Sequence, residues 1–291
     1  MSKIWFITGS SRGFGRGFVE AALSRGDKVA ATARNTDSLA DLIAAHRDQI
    51  LPLPLDVTDK AAVTAAVKQA HERFGRLDVV VNNAGFGLYG MVEELSEENV
   101  RAQFDTNVFG TLWVTQAALP YLRDQGSGHI IMLSSLLGLA AFPTTGGYTA
   151  SKAAIEGLSD SLAQEVAGFG INVTVIEPGP FDTGFATSST RSEPLAAYDG
   201  VRDAVNASFA TLPTPNPDHV GPALLKIVDA DNPPRRVFFG TLAHQVVPQV
   251  YTERLKTWED WAELSAQAET SAAEYLPPRT AEPAPSSAAT H

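Results

Sequence analysis

Apolar residues come in short, nearly unbroken runs separated by longer stretches in which they recur every three or four positions. The runs are "KIWFIT", "KVAATA", "ILPLPLDV", "LDVVVNN", "GHIIMLSS", "INVTVIEP" and "RRVFFG". Continuous rather than alternating apolar character predicts strands buried on both faces. Between them, Gly13–Gly26, Asp59–Phe74, Glu98–Arg123 and Tyr148–Gly168 carry helical spacing and end near glycines, as helix C-termini often do. Strand–helix–strand order requires parallel pairing through right-handed crossovers. The expected fold is α/β, a doubly wound parallel sheet of seven strands with helices on both faces.

Two segments depart from the alternation. Residues 181–217 are rich in Thr, Ser, Pro and Ala around one amphipathic piece, Tyr198, Val201, Val205 and Phe209, and read as a mobile substrate lid. Residues 243–268 carry Tyr251, Leu255, Trp258, Trp261 and Leu264 and read as a C-terminal helix, with 271–291 a disordered Pro/Ala-rich tail. No linker interrupts the chain before residue 270, so residues 1–270 are expected to form a single domain.

Charge and composition narrow the partners. A net charge of −11 repels nucleic-acid phosphates and anionic membrane surfaces, so neither is an expected partner. The absence of cysteine excludes disulfides, thiolate nucleophiles and cysteine zinc sites, and the six histidines lack metal spacing, so no metal is expected. The apolar run in "MSKIWFITGS" is too short for a secretion signal or a membrane span, which points to the cytoplasm.

Candidate chemistry gathers where strands end. The first strand runs into "TGSSRGFGRG", placing Ser11, Arg12 and Phe14 among Gly9, Gly13 and Gly15 at a strand-to-helix turn. Glycines there let backbone approach a pyrophosphate, and a helix N-terminus offers free N–H groups. The order is neither G-x-G-x-x-G nor a P-loop. The second strand ends at Arg34, where a dinucleotide fold reads the adenosine ribose; with Arg12 it forms a cationic pair suited to a 2′-phosphate, hence NADP(H). Asp56 and Val57 end the third strand, within reach of adenine. Asn83, Ala84 and Gly85 of "VNNAG" end the fourth, permitting close backbone approach.

In "YTASKAAIEGL", Tyr148 and Lys152 stand one helical turn apart, and an ammonium beside a phenol lowers its pKa, as a general acid/base requires. Ser135 ends the fifth strand thirteen residues earlier, and Asn107 is a polar residue in the apolar run "DTNVFGTLW". These motifs, with "PG" at Pro178 and Gly179, fall in the order found in the short-chain dehydrogenase/reductase family, which residues 3 to about 240 resemble.

The resemblance implies a Rossmann fold in which Tyr148 exchanges a proton with a carbonyl oxygen as hydride moves to or from a nicotinamide. Lys152 would depress the tyrosine pKa and hold ribose hydroxyls, Ser135 would hold the substrate oxygen, and Asn107 would anchor a water relaying protons to Lys152. Pro178, Gly179 and Thr183 would lie over the nicotinamide. Gly87 to Tyr89, Leu136 to Pro143 (Leu137 included) and the lid from Phe181 would wall an apolar pocket, with no Arg or Lys placed to hold an anion. A small lipophilic ketone or alcohol is the expected substrate, and the pattern resembles the 17β-hydroxysteroid and retinol dehydrogenase branch. Family members pair the Glu98 and Tyr148 helices across two-fold axes, which implies a homodimer or homotetramer. The alternatives are a methyltransferase, a non-catalytic NADPH sensor or scaffold, and a 3-oxoacyl reductase.

Overall fold

The computed structural model describes residues 2–268. Seven strands form one parallel sheet: β1 (Ile4–Ile7), β2 (Lys28–Ala33), β3 (Ile50–Pro54), β4 (Val79–Asn82), β6 (Gly128–Leu133), β7 (Ile171–Pro178) and β9 (Arg236–Phe239). Their order is β3-β2-β1-β4-β6-β7-β9, so the chain winds outward from β1 to β3 and then returns to pair β4 with β1. Loops leave β1 and β4 in opposite directions at this switch point, which opens a crevice at the carboxyl ends.

Unbroken apolar strands follow from the two layers they serve. Phe6, Val80 and Ile130 enter one cluster, while their neighbours Trp5, Ile7, Val79, Val81 and Ile131 enter the cluster on the opposite face. On the first side lie α3 (Lys60–Phe74), α5 (Thr111–Gln125) and α6 (Gly146–Glu165); on the second lie α1 (Gly13–Ser24), the short α2 (Ala40–His46) and α8 (Val220–Val228).

Several elements escape the sequence pattern. α8 opens Val220-Gly221-Pro222, with glycine and proline in its first turn, yet it packs so closely on α1 that a Cβ on Gly221 would lie 2.5 Å from the Gly17 carbonyl oxygen. The helix expected at Glu98–Arg123 is α4 (Glu97–Phe104) joined to α5 by a π-helical stretch, Asp105–Gly110. Two-residue strands β5 (Leu88–Tyr89) and β8 (Thr190–Arg191) pair in parallel as a separate sheet, joining the segment after β4 to residues 181–217. The lid also contains α7 (Asp199–Ala210).

The main compact unit spans Met1–Val247, and a second begins at Pro248 within α9 (Leu242–Asp260), followed by α10 (Ala262–Gln267). Tyr251, Leu255, Trp258, Trp261 and Leu264 are exposed. The expected tail at 271–291 lies outside the described residues. No described helix is long and apolar enough to cross a membrane.

Candidate active site

Hydrogen bonds weld the ends of β1 and β4 into one floor of the crevice. Thr8 Oγ1 accepts from the backbone N–H groups of Asn83 (2.9 Å) and Ala84 (3.0 Å), while Asn83 Nδ2 donates to the carbonyls of Thr8 (2.9 Å) and Gly9 (3.0 Å). A Cβ on Gly15 would lie 2.2 Å from the Gly9 oxygen, so only glycine lets α1 start this close to the strand end. Gly13 adopts φ +54°, a left-handed backbone, and its Cα faces Thr183. Arg12 occupies the N-cap of α1 without a side-chain hydrogen bond to the helix, which leaves first-turn N–H groups and the positive end of the dipole available to an anion.

Arg12 and Arg34 are exposed and enter no ion pair among the described residues. Asp56 sits below its ordinary pKa, chiefly because Thr58 N–H and Oγ1 donate to Oδ1 at 2.9 and 2.7 Å, with Arg34 adding a favourable field. Val57 packs against Gly110 beneath the same edge. Gly179 N–H donates to the Phe239 carbonyl (2.9 Å), turning the chain after Pro178 across the carboxyl edge.

At the other end of the crevice, the π-helical stretch brings Asn107 inward. Its Nδ2 donates to the Phe86 carbonyl (3.0 Å) and to Ser151 Oγ (3.1 Å), and its Oδ1 accepts from Phe86 N–H (3.1 Å). The side chain therefore ties the segment after Gly85 to α6. Lys152 donates from Nζ to the Leu133 carbonyl at 2.7 Å and lies 5.7 Å from the Tyr148 ring centroid. Ser135 Oγ accepts from Leu137 N–H (3.1 Å), which fixes the half-buried turn after β6.

The electrostatics correct one expectation. Burial pushes the Tyr148 phenol above its ordinary pKa, the neighbouring Tyr89 adds to this, and Ser135 opposes it by hydrogen bonding. Lys152 falls to about 8, again through burial, with the negative charge of Glu156 working upward. The phenol is raised rather than lowered because both groups are enclosed and the ammonium is directed at a backbone carbonyl instead of the phenolic oxygen. Tyr148 is thus held as the neutral phenol.

Residues 181–217 reach this centre. Phe185, which the sequence pattern does not single out, has its ring centroid 5.6 Å from that of Tyr148. Phe181, expected at the substrate, instead packs edge-on against Phe14 at 5.1 Å and covers Gly240, so its side chain belongs to the core. Ser189 Oγ accepts from Gly87 N–H (3.1 Å), Tyr198 donates to Glu93 (2.6 Å), and Arg202 forks onto Glu94 at 2.6 and 3.2 Å. That guanidinium, together with Leu195 N–H, holds the Glu94 carboxyl down at about 2. Phe209 meets Phe142 across the gap at 6.2 Å. A cation does stand at the wall: Arg191 lies over the Tyr89 ring at 5.3 Å. No local signal joins Glu94 to Arg202, which are 108 residues apart.

Residues 3–194 match the family described as short chain dehydrogenase. The chain is 42% identical over 270 residues to oxidoreductase BOA17 of Botryotinia fuckeliana, covering 91% of this chain and 98% of the relative. It is 36% identical over 261 residues to a 3-ketodihydrosphingosine reductase of Bacteroides thetaiotaomicron, covering 88% and 93%. A crystal structure of a short-chain dehydrogenase from Streptomyces avermitilis superposes with TM-score 0.87 at 36% identity, covering 92% of this chain and all of that one. A short chain dehydrogenase from Burkholderia cenocepacia in complex with NADP superposes with TM-score 0.70 at 26% identity, covering 89% and 97%.

Proposed function

The chain belongs to the short-chain dehydrogenase family, and from that premise we propose that it is an NADP(H)-dependent oxidoreductase interconverting a lipophilic ketone and its alcohol. The observation that carries this reading is the enclosure of Tyr148 and Lys152 beside Ser135, across one crevice from an uncapped glycine turn flanked by two unpaired arginines. The turn fits a pyrophosphate, and Arg12 with Arg34 fits a 2′-phosphate better than the bare 2′-hydroxyl that an acidic residue would read. Relatives that bind NADP support the same choice, and the 3-ketodihydrosphingosine reductase supports a lipophilic ketone.

When bound, the nicotinamide supplies the hydride. Tyr148 gives its hydroxyl proton to the carbonyl oxygen, whose π electrons become the new O–H bond, and is left as phenolate. Lys152 compensates that negative charge and loses or regains a proton on the side away from substrate. Ser135 holds the same oxygen, so charge develops where a donor already points. Asn107 keeps the segment after Gly85 and the catalytic helix in register. Phe185 offers the substrate an apolar wall beside Tyr148.

Consumption of NADPH and NADH is to be measured against steroid, retinoid, aromatic and acyl ketones. NADPH consumption that depends on a lipophilic ketone is expected. NADPH binding with no ketone turned over would favour a sensor or scaffold and overturn the catalytic reading. We further expect a homodimer or homotetramer, since Phe109 in the π-helical stretch and Leu158 on α6 remain exposed.

A further inference from the structure

A buried charge cluster lies one turn behind the reacting pair. Glu156 follows Lys152 by four residues on α6, so the two side chains share a helix face, and both residues are buried. Arg236 on β9 reaches Glu156 Oε2 and Glu177 Oε1 on β7 through one nitrogen, and Asp160 Oδ2 at 2.6 Å through another. Three carboxylates thus face one guanidinium, and the surplus negative charge has Lys152 as its neighbouring cation. Among the described residues Glu156 Oε1 has no hydrogen-bond partner, nor has the buried Ser134 Oγ. Both border Gly138, where a Cβ would lie 2.7 Å from Ser134 Oγ, 3.2 Å from the Lys152 carbonyl carbon and 3.3 Å from Glu156 Cγ. Glycine at this position lets the carboxylate lie along the Lys152 turn.

We infer, on the reading of Tyr148 and Lys152 as the reacting pair, that Glu156 is a positioning residue which, held by Arg236 against Glu177, keeps Lys152 an ammonium ion behind the phenol. Among the described residues the other groups beside Lys152 leave this task to Glu156: Tyr148 and Asn107 are neutral, and β6 offers the Leu133 carbonyl. Glu177 absorbs the cluster's excess. Burial and the charge of Glu156 push its carboxyl above the ordinary pKa, which makes it the place where the cluster takes up a proton. The carboxylate opposes the burial that draws Lys152 down to about 8. Without it, the ammonium would give up its proton within the neutral range.

The test is a titration of the full chain labelled with 13C at the lysine ε-carbons, seven in number, with the Lys152 signal assigned by Lys152→Met. Glu156→Gln, isosteric but uncharged, should lower the Lys152 midpoint by about one pH unit, and Glu156→Asp, with its charge drawn back by one methylene, by about half as much. A merely structural Glu156 would change thermal stability and leave the midpoint in place, and that result overturns the proposal. If Glu156→Gln does not fold, the Asp variant carries the test, and an undisplaced midpoint there is equally fatal. The titration needs neither cofactor nor ketone, so its failure removes the role of Glu156 alone. Full turnover in a Tyr148→Phe variant would instead remove the reading on which it rests.

Discussion

The catalytic helix α6 and the lid helix α7 flank the same crevice and are held in opposite ways. In α6, Tyr148, Ser151, Lys152, Ile155 and Glu156 are buried against the sheet and the π-helical stretch, whereas none of the twelve residues of α7 is buried. The lid is fixed by separable contacts: Arg202 on Glu94, Tyr198 on Glu93, Ser189 on Gly87, Phe209 on Phe142, and a two-residue strand pair. On the proposed reading, chemistry is placed by packing that only unfolding would disturb, and substrate fit by latches that one substitution can release.

The largest effect should come from the core side of this comparison. Lys152→Ala should lower turnover by about 10²-fold to 10⁴-fold and weaken NADPH as well, since one side chain serves proton and ribose. A variant impaired in neither would break the assignment. Next, Arg34→Ala should weaken NADPH by about ten-fold to a hundred-fold with little change for NADH, by loss of a charge-assisted contact. Equal losses in paired cofactor titrations would mean that Arg34 does not read the phosphate.

On the acid–base side, kcat/KM for ketone reduction should fall above pH 8, by about ten-fold per unit. The sign follows from Lys152: its pKa lies below that of a free lysine, so the ammonium is present below about 8 and lost as pH rises through that value. A profile flat to pH 10 would place the titrating group elsewhere.

The smallest change is expected at the lid. Arg202→Ala should leave turnover of small ketones intact, raise KM for bulky ones several-fold, and speed hydrogen exchange in α7 by about ten-fold, while α6 stays protected. Exchange that changes equally in both helices would erase the distinction between them.

The same contrast governs how far the sequence could be read. The seven strands and the pairing of Tyr148 with Lys152 are local in origin: apolar runs and a four-residue spacing state them directly. Gly9, Gly13 and Gly15 are legible because their missing side chains mark where backbone must come close. What escapes the sequence is long-range. Nothing near Leu88 announces Thr190, nothing near Glu94 announces Arg202, and Glu156 meets Arg236 only after β9 joins β7. Phe181 and Phe185 look equivalent in the sequence, and tertiary packing alone assigns the first to Phe14 and the second to Tyr148. The direction of the Tyr148 shift follows from enclosure, which spacing does not contain.

The most direct test of the account is Tyr148→Phe, assayed with NADPH and whichever lipophilic ketone the wild-type protein reduces. Removing one hydroxyl should leave the fold and the NADPH dissociation constant unchanged while turnover falls by at least about 10²-fold. Near-normal turnover in a folded, NADPH-bound Phe variant would contradict the proton-donor role at the centre of this account.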